Sequence, residues 1–170
     1  HPMAIPLTTE LKKQNINVAG SDRIKLPNFP AIRDMLNLVR WCLNQSDDFS
    51  LCCTLRSPFY SMNQGIIFNL CSERNKINNT QTPDTTDTKK TTVFDILKNT
   101  HPHIHTELST VLEWSKHMGP YSFFSKLFKL NDSRKKFISA LGQHVIDPIE
   151  EFMTICLAYE RTQTGTLHHF

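Results

Sequence analysis

From Pro30 to Asn44 the apolar residues stand at Ile32, Met35, Leu36, Val39, Cys42 and Leu43, while Arg33, Asn37, Arg40 and Asn44 recur on another face. Steps of three and four residues fit an α-helix with one buried stripe and cannot be laid onto a strand, whose faces alternate every second residue. The same period returns along the chain in short pieces, each closed by turn residues. Ser46-Asp47-Asp48 offers side-chain oxygens to orphan backbone N–H groups, so a second helix starts there and runs through Leu55 until Pro58 stops it. Its run Leu51-Cys52-Cys53-Thr54-Leu55 is apolar around most of its surface, which makes it central. Asn63 is placed to cap a third helix carrying Ile66, Ile67, Leu70 and Cys71.

Beyond Glu73 the pattern changes. Up to Thr92 the residues are Asn, Thr, Asp and Lys with hardly an apolar side chain, and residues 74–92 are expected to form a mobile polar loop. Order resumes at Val93-Phe94-Asp95-Ile96-Leu97. A helix from about Thr106 to Met118 presents Leu108, Val111, Leu112 and Trp114 before Gly119-Pro120 ends it. The phenylalanine-rich segment Ser122 to Leu130 follows. Asp132 then caps a helix holding Phe137, Ile138 and Leu141, closed by Gly142 where a left-handed residue is wanted. In the last helix Asp147 reads as N-cap, Pro148 as the first helical residue and Glu150 as the partner in a capping box, with Ile149, Phe152, Met153 and Cys156 as the buried stripe. At the opposite end, Pro6 to Gln14 looks helical and Ile16-Asn17-Val18 looks strand-like, stopping at Gly20. The expectation is an all-α chain: one irregular multi-helix domain over residues 1–170, of roughly seven or eight helices, with a strand-like segment near its N-terminus and a long polar loop.

Composition limits what such a domain does. With 170 residues, 39% hydrophobic and 21% charged, the chain has material for one core, and a net charge of +3 permits contact with nucleic acid without demanding it. No apolar run approaches the ~20 residues of a membrane span, and no basic-then-apolar leader opens the chain, so no membrane partner is expected and the location reads as cytoplasmic. Cys42, Cys52, Cys53, Cys71 and Cys156 form an odd set without a CxxC pair, as expected of buried thiols in a reducing compartment. No glycine precedes a lysine, which excludes a phosphate-cradling loop, and no dinucleotide fingerprint, HExxH or GxSxG occurs. No catalytic or cofactor-binding residue is assigned.

Three places carry chemistry. His101, His103 and His105, with His117 further on, would turn three imidazoles to one face if the segment were extended, a zinc or copper arrangement; the other reading is a histidine-rich loop before a helix. No cysteine or carboxylate stands at ligand spacing and Pro102 disturbs the geometry, so no metal ligand is assigned. Arg134-Lys135-Lys136 sets three positive charges in the first turn of a helix, where the dipole disfavours each by ~0.3–1 kcal/mol; a nearby phosphate would cancel the conflict, and a solvated basic face is the alternative. In Leu55-Arg56-Ser57-Pro58-Phe59-Tyr60, Arg56 suits a helix C-terminus and the proline turns the chain, either toward a phosphate or to seat Phe59 and Tyr60 in the core.

Taken in order, Val18-Ala19-Gly20-Ser21-Asp22-Arg23, Ile32-Arg33-Asp34, Asp47-Asp48 and Leu55-Arg56-Ser57-Pro58, then Gly119-Pro120-Tyr121, Arg134-Lys135-Lys136, Leu141-Gly142, Asp147-Pro148-Ile149-Glu150-Glu151-Phe152 and Leu157-Ala158-Tyr159-Glu160-Arg161, resemble the AddA subunit of bacterial helicase-nucleases, relatives of UvrD, Rep and RecB. The resemblance runs from about Pro6 onward. It implies the accessory 2B subdomain, inserted into the second motor domain. The family's ATP-binding loop lies upstream of this region and its later helicase motifs downstream, so ATP and Mg belong to the full-length parent and no cofactor to this piece. It further implies sequence-tolerant contact with duplex or junction DNA, through Arg56, Ser57, Arg134, Lys135 and Lys136 as candidates. The implied protein partners are the motor and nuclease domains of the same chain and an AddB-like subunit. Where UvrD-like relatives carry a Gly-Ile-Gly turn that meets phosphates through backbone amides, the matching positions here read Tyr60-Ser61-Met62, and Tyr and Met are poor choices for the positive φ of such a nest. A free-standing helical protein-interaction domain is the alternative from another class.

Overall fold

The computed structural model describes residues 26–80, 90–162 and 166–167, and along them the chain forms eight α-helices and three 3-10 turns, with no strand among the described residues. The all-α expectation is met. The helix read at residues 6–14 and the strand-like piece at 16–18 lie outside the described residues.

Helix α1 (Pro30–Leu43) starts with proline at its first position, where a missing N–H is harmless, and buries Ala31, Ile32, Met35, Leu38, Trp41 and Cys42. The stripe is rotated from the one read in the sequence: Leu38 and Trp41 are innermost, while Leu36 and Val39 pack at its margin. Helix α2 (Asp48–Arg56) is capped as expected, Asp47 accepting from the Ser50 amide at 3.0 Å, and buries Leu51 and Leu55. Helix α3 (Gln64–Thr80) begins where Asn63 accepts from the Gly65 amide at 2.7 Å. It continues to Thr80, so its second half occupies part of the stretch read as loop. Its exposed side chains need no apolar pattern, because of its seventeen residues only Leu70 is buried.

Thr92 and Asp95 form a reciprocal capping box at the start of α4 (Val93–Thr100). Helix α5 (Pro102–His117) starts earlier than its apolar pattern indicated, because Pro102 is its first residue and not an interruption. The same device opens α6 (Pro120–Lys129): Gly119 is the cap, so the Gly-Pro pair both follows one helix and starts the next. Helix α7 (Ser133–Leu141) follows Asp132, which holds the N-cap position at φ 52° but makes no side-chain capping bond, and it exits through Gly142 at φ 89°. The capping box expected at Asp147 is not formed. Helix α8 (Ile146–Thr162) is entered directly from a 3-10 turn at Gln143–Val145, and Ile146 is already helical, so Asp147 and Pro148 lie within the first turn. Glu150 pairs instead with Arg134.

The helices share one core. Helix α1 packs on α2, α5 and α8; α6 packs on α8 and α7; α3 lies on α2 and α4. Trp41, Phe123, Phe124 and Phe137 are the largest fully buried side chains, each contributing roughly 1.5–3 kcal/mol by leaving water.

Candidate nucleic-acid interface

The turn that leaves α2 is built by its own hydrogen bonds. The Ser57 amide donates to the Cys53 and Thr54 carbonyls, Pro58 has no amide, and the Ser57 hydroxyl donates to the Thr54 carbonyl at 2.6 Å and accepts from the Phe59 amide at 3.3 Å. The amides of Tyr60 and Ser61 both donate to the Ser57 carbonyl, and that of Met62 donates back to Leu55 at 2.8 Å. Closing this loop puts Ser61 at φ 50°, a left-handed conformation in which glycine would be unstrained. A left-handed residue is thus present in the turn, at Ser61 between Tyr60 and Met62. No nest forms from it, since the amides that would line one are spent on carbonyls of the same turn. Ser57 is 5% exposed and its hydroxyl is committed, so of the first pair of candidate residues only Arg56 projects outward.

Phe59 and Tyr60 anchor the turn. Phe59 meets Phe137 of α7 edge to face at 4.8 Å between centroids, and Phe137 in turn meets Phe128 of α6. Tyr60 is held by burial and by Glu107 of α5, which together push its phenol up from the ordinary value.

This docking brings one residue of the second group of candidates to the turn. With Phe137 seated on Phe59, Lys136 beside it reaches the Phe59 carbonyl at 3.4 Å. Lys136 of the basic first turn of α7 is thus set against the exit turn of α2, 77 residues away from Phe59 in sequence. Its charges are unequally free. Arg134 pairs with Glu150 of α8, both partly exposed, and Lys135 lies 3.3 Å from Asp132 with most of its side chain in solvent. Exposed pairs of this kind are worth ~0–1 kcal/mol, so phosphate oxygens can compete for Arg134 and Lys135. Arg56 is exposed at the C-terminal end of α2.

The rings of His101 and His103 lie 6.4 Å apart, but the three histidines do not converge. His103 and His105 sit in the first turns of α5, two residues apart on a helix and so on different sides, and His105 stacks on Phe94 at 4.4 Å. Among the described residues, no three of His, Cys, Asp and Glu are grouped to share an ion.

Sequence reasoning did not find the carboxylates that fasten the helix ends. Asp48 accepts from Arg74 at 2.6 Å and from the Val93 amide at 2.8 Å, joining α2, α3 and the start of α4. Glu160 of α8 accepts from the amide and hydroxyl of Ser122 at 3.0 and 2.6 Å, serving the N-terminus of α6 from another helix. Gly119 makes room for it: a Cβ there would stand 2.5 Å from the Glu160 carboxylate. Such partners are distant in sequence and leave no local signal. No protein-family model, curated protein or solved structure matches this chain.

Proposed function

We propose that this chain is a helical accessory domain of the 2B kind, from an AddA-like ATP-dependent DNA helicase and nuclease acting in double-strand break repair and recombination. It orients duplex DNA or swivels against the motor and has no turnover of its own; ATP and Mg are used elsewhere in the parent. The observation that carries the reading is the contact of Lys136, in the basic first turn of α7, with the Phe59 carbonyl of the turn that follows Arg56, held by the Phe59–Phe137 ring contact. This supports it by setting one of the residues that the resemblance marks against the turn that carries two others. Contact is by side-chain cations to phosphate, because the turn's amides are occupied, and binding is therefore weak, salt-sensitive and indifferent to sequence.

Fluorescence anisotropy with a duplex-tail junction at two salt concentrations tests this. Arg56→Glu combined with Lys135→Glu should weaken binding on the order of tenfold at low salt and flatten the salt dependence. No binding by the unaltered chain at low salt would reject the interface.

A protein-binding role has support of its own in two exposed aromatic side chains, Phe49 on α2 at 75% and Phe68 on α3 at 71% exposure. In the accessory-domain reading they face the rest of the motor or an AddB-like subunit. In the alternative, a free-standing helical interaction domain, they are the binding surface itself. Reading the coding sequence on both sides separates the two: motor motifs in frame favour the first.

A further inference from the structure

Helices α2 and α3 run past each other with two contacts in antiparallel register. Asp48 pairs with Arg74, and one turn along both helices the sulfurs of Cys52 and Cys71 stand 3.6 Å apart. Both thiols are half-buried and all five cysteines of the chain are free. We propose that Cys52 and Cys71 form a dithiol site that closes to an intramolecular disulfide under a small disulfide oxidant such as oxidised glutathione, locking α3 onto α2. This inference does not rest on the DNA-binding reading.

A disulfide has its sulfurs about 2.05 Å apart, so closure asks each side chain to move by under an ångström while the ion pair one turn away keeps the helices in register. The Arg74 guanidinium lies near enough to attract a thiolate at either position, an attraction that contributes to its own raised pKa after the stronger bond to Asp48. Burial first, and then the neighbouring sulfur, push the Cys52 thiol up to about 12, so the step is written with Cys71 attacking first. The Cys71 thiolate displaces one glutathione thiolate and forms a mixed disulfide; Cys52, losing its proton, then attacks the Cys71 sulfur and expels the second. The two thiol protons go to the two glutathione thiolates, and the electron pair given up by the protein sulfurs reduces the small disulfide. The other cysteines are placed differently. Cys42 and Cys156 are fully enclosed, out of reach of a small disulfide.

The consequence is mechanical. Helix α3 has a single buried residue and hangs on α2 and α4, so a covalent tie there adds more than it would between helices already sharing a core. Incubating the whole chain with glutathione disulfide, then alkylating, digesting and weighing the peptides, tests the site. The expected product is about 2 Da lighter, carries a Cys52–Cys71 crosslink, melts about 5 °C higher, and reverts with dithiothreitol. Cys53→Ser should behave identically. Cys52→Ser should take up one glutathione at Cys71 without the rise in melting temperature. Glutathione on both sulfurs, free alkylation of both after treatment, or a crosslink to Cys53 in the unaltered chain would overturn the proposal, and the peptide map does not depend on any variant folding.

Discussion

Helices α1 and α3 are of similar length and are held in opposite ways. The fourteen residues of α1 bury six side chains, and the seventeen of α3 bury one. Helix α1 is kept by apolar contact from three sides, whereas α3 puts only Leu70 in the core, with Ile67, Cys71 and Ile77 at its margin, and leans on its ends and edge: Asn63 at its start, the Arg74–Asp48 pair and the thiol contact along one side, and a two-way bond between the Asn78 side chain and the backbone of Thr91 near its far end. Burial is additive and insensitive to any single polar atom. Point attachments fail one at a time, and a helix held by them is the natural place for local opening.

The contrast can be broken most severely at Trp41. Trp41→Ala removes a fully buried ring that touches Phe94 at 5.1 Å and should cost about 3–5 kcal/mol in urea unfolding; a loss below about 1 kcal/mol would remove the distinction between the two helices. Next comes Asp48→Ala. It leaves the buried Val93 amide without its acceptor and frees Arg74, for about 2 kcal/mol, most of it from the amide because the ion pair is partly solvated. Amide hydrogen exchange should then accelerate in α3 and at the start of α4 while α1 keeps its protection.

A smaller effect sharpens the picture of α1 itself. Burial raises the carboxyl of Asp34 to about 6, against the opposing pull of Arg33. The folded chain therefore holds this proton more tightly than the unfolded one: the group favours folding below about pH 4, and that contribution is lost as pH rises through about 6. Asp34→Asn should stabilise the protein by about 1 kcal/mol at pH 7, allowing for its partial exposure, and by nothing measurable at pH 4. Thermal melts at the two pH values check the sign. The smallest change is expected of Phe68→Ser on α3, within about 0.5 kcal/mol, since the ring is mostly in solvent; a large loss would mean that α3 is packed more firmly than its burial indicates.

The same contrast explains what the sequence made legible. Where a helix is held by an apolar stripe, as in α1 and α8, its span or buried face was readable: Pro30–Leu43 matches within a residue, and Ile149, Phe152, Met153 and Cys156 are all buried. Where it is held by points, the pattern fades, and the second half of α3 looked like loop. The starts of α5 and α8 were misplaced for a local reason: Pro102 was read as disturbing an extended segment when it opens a helix, and Pro148 was read as the first helical residue when the helix already begins at Ile146. Of the candidate site, the residue types were visible, but their meeting was not. Nothing in Arg134-Lys135-Lys136 announces that the next residue, Phe137, will seat against Phe59, and the burial of Ser57 follows only from the bonds of the folded turn.

The carboxylate of Glu160 has a practical implication for anyone shortening this polypeptide. Because the entrance of α6 borrows its anion from the far end of α8, a truncation placed before Tyr159-Glu160-Arg161 would remove more than a tail. It would uncap a helix some forty positions upstream, with Phe123 and Phe124 riding on it, so the smallest fragment worth producing extends beyond that carboxylate.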